Sequence, residues 1–291
     1  MTEDPKQTHQ EKHVSVFAEE LQQMMGVLQS IIPKYQAIGG DYHSKGAYAH
    51  FHLRGLIYHL KRMKASYDEI GYELHSRIQS LGSGPTFIMY TPAMQELLYE
   101  FYAFINLSRI SLDNLKYIVY PLFLGDPLHM PKSITDLGRG KTNCGIYERI
   151  AATEELAYLI QLRNCLVHFR TLAVNDNSVI RHEASKEMNV EGTQAWFAPM
   201  AKAVYRLNEN KDMVFNIFLP DKIFEGENNK TVAKFTYTRK LNILAESMRF
   251  MRHILFNYMD SFSESIFSTE KRYTYDKKGK MAPVDYLGYT C

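Results

Sequence analysis

Apolar residues recur at three- and four-residue steps through most of this chain, and proline and glycine interrupt the pattern at only a few places. That periodicity is the signature of amphipathic helices, and it leaves little room for an all-β fold. Residues 10–32 carry Val14, Phe17, Leu21, Met24, Met25 and Leu28 on one stripe, and Pro33 is expected to end the helix. After a turn at Gly39-Gly40-Asp41, a long helix is expected over 44–80, stopped by Leu81-Gly82-Ser83-Gly84-Pro85. Thr91 as N-cap with Pro92 at the first helical position opens another helix, which runs to about Tyr120 before Pro121. Residues 121–143, rich in Pro, Gly and Asp, read as a long ordered loop. A further helix is expected from Gly145 to about Arg170, with Leu159, Leu162, Leu166 and Phe169 turned to the core.

The period changes after residue 171. Ala203–Arg206 and Met213–Leu219 are rich in Val, Tyr, Phe and Ile around Asn208-Glu209-Asn210-Lys211, which predicts a hairpin. A third strand is expected at Thr231–Thr238, beyond the turn Gly226-Glu227-Asn228-Asn229. A last helix over about 240–267 carries Leu241, Leu244, Met248, Met251, Leu255 and Met259, and a polar, tyrosine-rich tail from 271 to 291 is expected to be loosely held. The expected fold is thus mainly α: one helical-bundle domain over 1–270, with a hairpin or three-stranded insertion at 171–238 between the helix ending near 170 and the C-terminal helix over 239–268.

With 291 residues and 45% hydrophobic content, the chain has ample material for a core. Its formal net charge of +2 gives no bulk field for nucleic acid, so any such contact needs a local basic patch. Cys144, Cys165 and Cys291 are odd in number and widely spaced, which excludes a disulfide framework and a zinc knuckle. Met1–His13 has neither the basic start nor the apolar run of a signal peptide, and no apolar stretch reaches membrane-spanning length. A reducing, cytoplasmic setting with no membrane partner is expected.

The chemistry-bearing segment is Arg163-Asn164-Cys165-Leu166-Val167-His168. An arginine can hold charge developing on a phosphoryl group, and a histidine can move a proton near neutral pH, so no metal is required. The chain holds its own control: Arg54-Gly55-Leu56-Ile57-Tyr58-His59 has the same arginine-to-histidine spacing without the asparagine. On a straight α-helix Arg163 and His168 would stand about 140° apart, whereas Asn164 and His168 share a side. Either the helix distorts, the arginine's length bridges the gap, or a second protomer supplies the partner group; the last is the preferred expectation.

The segment, set in a late helix of a mostly helical chain, resembles the R-N-x3-H motif of the HEPN superfamily, with Arg163, Asn164 and His168 at the matching positions. The resemblance covers the helices from about 44 to 169. It implies a helical bundle, a homodimer with two motifs facing each other, and RNA cleavage without metal. Some relatives carry, two residues after the histidine, a tyrosine that nucleotidyltransferase-type antitoxins modify; here that position is Arg170. An antitoxin or regulatory protein is an expected partner.

Other constellations carry less. Gly140-Lys141-Thr142 resembles the end of a P-loop, but Thr135 stands where the first glycine belongs. Arg139 and Lys141, just before a helix start, are read as RNA-backbone contacts together with Arg170. His43 with His50, and His52 with His59, are seven apart, about 10 Å along a helix and too far for one ion, so neither metal nor cofactor is expected. The 20 tyrosines and 16 phenylalanines are assigned to the core before base stacking. The expected function is metal-independent endoribonuclease, in a toxin, defence or RNA-processing role. The alternative is a non-catalytic HEPN-like module that binds nucleotide or protein.

Overall fold

A computed structural model of the chain describes residues 5–36, 41–79, 86–88, 92–119, 133, 153–164, 166, 178–180, 188–189, 191–192, 202–207, 213–224, 234–236, 241–267, 272–275 and 281–284. The described part is mostly helical. Its helices are α1 (Pro5–Gln36), α2 (Asp41–Gln79), α3 (Pro92–Val119), α4 (Glu154–Asn164) and α5 (Ile243–Phe267). The strands are β1 (Thr86–Ile88), β2 (Ser178–Ile180), β3 (Met188–Asn189), β4 (Glu191–Gly192), β5 (Lys202–Leu207), β6 (Met213–Leu219), β7 (Lys222–Phe224), β8 (Lys234–Thr236), β9 (Leu241–Asn242), β10 (Arg272–Tyr275) and β11 (Met281–Val284). No helix among the described residues is long and apolar enough to cross a membrane.

The chain divides into two compact units. The first comprises residues 1–57, 110–153 and 252–291. Its core takes Leu21, Met24, Leu28, Ile32 and Tyr35 from α1, the apolar stripe extended by two turns beyond the expected one. The helix passes through Pro33 to Gln36. Proline this close to a C-terminus leaves a single carbonyl, that of Gln29, without its i+4 donor, which three further residues of helix outweigh. Tyr35 and Tyr258 pack on Phe262 with ring centroids 4.6 and 5.8 Å apart. The buried Tyr258 hydroxyl donates to the Ser111 carbonyl at 2.6 Å, and desolvation raises its pKa far above the ordinary phenol value. Arg252 pairs with Glu20, and the His253 Nε2 lies 3.0 Å from Asn257 Nδ2 and 3.2 Å from the Thr153 hydroxyl. Within the tail, β10 pairs antiparallel with β11, Tyr273 opposite Pro283. Arg272-Tyr273-Thr274-Tyr275 is a run of strand formers, which a polar segment separates from Met281.

The second unit comprises residues 58–109 and 154–251. Leu60, Met63 and Ile70 from α2, Leu97, Phe101, Phe104 and Ile105 from α3, and Ile243 and Met251 from α5 are fully buried. Each such side chain contributes about 1.5–3 kcal/mol by leaving water. The expected hairpin is β5–β6, antiparallel in register Tyr205 opposite Phe215, within a four-stranded sheet of order β3-β5-β6-β9. The expected third strand contains β8, which pairs with β7 instead of widening that sheet. β1, β2 and β4 form a separate sheet.

α5 begins two to three residues later than its apolar pattern, and Asn242 explains the shift. Its Oδ1 accepts the amides of Leu244 at 2.9 Å and Ala245 at 3.2 Å, while its Nδ2 donates to Tyr67 Oη at 3.2 Å and Asn216 Oδ1 at 3.1 Å. One side chain thus caps the helix and ties it to α2 and β6. Burial pushes the Tyr67 pKa up to about 12, so this phenol stays protonated and available to the network. Asn242→Ala should lose about 1–2 kcal/mol of stability in urea denaturation, the cost of a cap plus partners left unsatisfied. A loss below a few tenths would reject Asn242 as the element that starts α5.

Candidate functional site

α4 positions the motif. Glu154 and Glu155 in its first turn and Arg163 in its last both complement the helix dipole. Leu159 and Leu162 of the expected stripe are buried, and so is Leu156 one turn earlier, while Phe169 lies outside the described residues. The Tyr158 hydroxyl donates to the Pro220 carbonyl at 2.6 Å, just past β6, and its ring lies 5.8 Å from that of Phe250 on α5. The helix is thereby held by both its apolar stripe and a polar contact.

Arg163 and Asn164 lie side by side at the end of this helix, both half-buried. Arg163 Nη1 lies 3.4 Å from Asn164 Oδ1, a long and weak hydrogen bond. Arg163 Nε is buried and has no hydrogen-bond partner among the described residues. Enclosing a guanidinium N–H without an acceptor costs free energy, and such a group in a native fold calls for an explanation. Leu166, also buried, departs from α-helical geometry and takes a π turn. A π turn closes i→i+5 in place of i→i+4 and recurs at functional sites. It lies inside the motif, and nothing in the local sequence announces it.

His168, Arg170, Arg139 and Lys141 lie outside the described residues. The structure therefore brings Arg163 and Asn164 together and leaves the remaining site residues as sequence expectations. Among the described residues no group of three or more His, Cys, Asp or Glu side chains is arranged to hold a metal ion.

The control match has a different environment. His59 Nδ1 meets Glu100 Oε2 at 2.6 Å, and Arg62 reaches the same carboxylate at 3.7 Å and Glu96 at 3.1 Å. His59 is thus engaged by a carboxylate on α3, whereas Arg54 is exposed. A separation of 41 positions between His59 and Glu100 puts this pair beyond any local sequence signal. No protein-family model, curated protein or solved structure matches the chain.

Proposed function

We propose that this chain is a metal-independent endoribonuclease of the HEPN type, with Arg163, Asn164 and His168 as its reaction centre. The observation that carries the reading is Arg163: a half-buried guanidinium whose Nε–H is enclosed without an acceptor among the described residues is suited to a phosphoryl oxygen. Each working site would draw its arginine from one protomer and its histidine from the other, since on a straight helix the two stand about 140° apart.

In this mechanism His168 takes the proton of a ribose 2′-hydroxyl, whose oxygen attacks the adjacent phosphorus. The bond from phosphorus to the 5′-oxygen breaks, leaving a 2′,3′-cyclic phosphate and, once protonated, a 5′-hydroxyl. Arg163 stabilises the charge gathering on the phosphoryl oxygens, and Asn164 orients His168 or the phosphate. Arg139, Lys141 and Arg170 would hold the RNA backbone. A homodimer with facing motifs would let the second His168 protonate the leaving oxygen, and an antitoxin or regulatory protein would restrain the activity in a toxin, defence or RNA-processing role in the cytoplasm.

Product chemistry tests the reaction type. An RNA with a single 2′-deoxy nucleotide at the cleaved position should survive intact, and the unmodified strand should yield 2′,3′-cyclic phosphate ends. Cleavage of the deoxy-substituted strand, or 5′-phosphate products, would overturn attack by the 2′-hydroxyl. Binding of RNA without cleavage would favour the non-catalytic module.

A further inference from the structure

The exposed side of α2 within the second unit reads the same forwards and backwards about Ala65, with the charges inverted. Tyr58 and Tyr72 stand seven residues to either side of Ala65, and Lys61-Arg62 on one flank answers Asp68-Glu69 on the other. At about 100° per residue these seven positions fall within about 60° of Ala65, one continuous stripe. Leu60, Met63, Tyr67 and Ile70 fall about 140–160° away, on the opposite side. Burial agrees: Leu60, Met63 and Ile70 are fully enclosed, while Tyr58 is 57% and Tyr72 68% exposed. Lys61, Arg62, Ala65 and Glu69 are exposed too.

We propose that this stripe is a self-association surface on which a second copy of α2 packs antiparallel about a two-fold axis at Ala65. A two-fold interface uses one patch twice, so each feature must find its complement at the mirrored position. The stripe meets that demand throughout. Tyr58 comes against Tyr72 of the second copy, and the small Ala65 side chains meet at the axis and permit close approach. Lys61 falls beside Asp68 of the second copy, and Arg62 beside Glu69 of the second copy, each pairing repeated by symmetry. A parallel arrangement would set like charges together, so the charge order selects the antiparallel one. Lys61 and Glu69 hold no ion pair among the described residues. Arg62 is 44% and Asp68 41% exposed, which leaves both reachable beside their own pairs with Glu96 and Lys64. Exposed tyrosines are the residue type that anchors interfaces at small entropic cost. This surface is the one assigned to hold the homodimer invoked above, and it stands whether or not that dimer cuts RNA.

Analytical ultracentrifugation of the full chain tests it without reference to RNA. Wild-type protein should sediment as a dimer. Lys61→Glu/Arg62→Glu makes all four charged positions acidic and Asp68→Lys/Glu69→Lys makes them basic, so each variant alone should be monomeric. Mixed in equal amounts, they should restore a dimer containing one of each. Ala65→Glu leaves the intramolecular ion pairs intact and should raise the dimer dissociation constant at least tenfold, which keeps the proposal testable if the charge variants lose their helical circular dichroism. A monomeric wild type, a dimeric Ala65→Glu variant with wild-type affinity, or folded charge variants that stay apart on mixing would each overturn it.

Discussion

Leu162→Ala should cost about 2–5 kcal/mol of unfolding free energy, the range for removing a fully enclosed leucine from a packed core. Leu162 is 0% exposed and immediately precedes Arg163, so its methyl groups anchor the turn from which the guanidinium projects. The neighbouring Gln161 is exposed on the same helix, and Gln161→Ala should change stability by no more than about 0.5 kcal/mol. Urea denaturation of the two variants separates the cost of the cavity from any effect on helix propensity. A loss below about 1 kcal/mol for Leu162→Ala would mean that α4 is not seated as described, and the placement of Arg163 would fall with it.

The helices were legible because their apolar residues keep a helical period over many turns, and tertiary packing then buries the stripe that the period marks. Leu21, Met24, Leu28, Met248, Met251 and Leu255 are all buried as their spacing predicts. The ends were less legible, because a terminus is settled by one or two bonds. Pro33 costs one carbonyl partner near the end of α1 and fails to stop it, whereas the Asn242 side chain, with four hydrogen-bonding contacts, starts α5 within a run that reads as helix from Leu241. Short strands such as β1, three residues long, fall below the length at which alternation can be seen. At the candidate site, residue types and spacing exposed Arg163 and Asn164, and the apolar stripe gave their helix. The π turn at Leu166 was not legible, since it reflects how the backbone settles against its surroundings and has no composition of its own. The same holds for His59, whose partner Glu100 is brought near only by the packing of α3 on α2.

The largest expected effect belongs to the motif itself. His168→Ala removes the general base, a change worth about 10²- to 10⁴-fold in rate. Arg163→Ala removes the group that holds transition-state charge, with a loss of about 10²- to 10³-fold. His59→Ala should leave the rate near wild type, because its histidine is engaged by Glu100 and its motif lacks the asparagine. The decisive measurement is the cleavage rate of single-stranded RNA by the purified full-length chain in excess EDTA, for wild type and these three variants. The account predicts that wild type and His59→Ala cut at similar rates and that Arg163→Ala and His168→Ala are each slowed at least 100-fold; intact RNA with wild type, or wild-type cutting by His168→Ala, would contradict it.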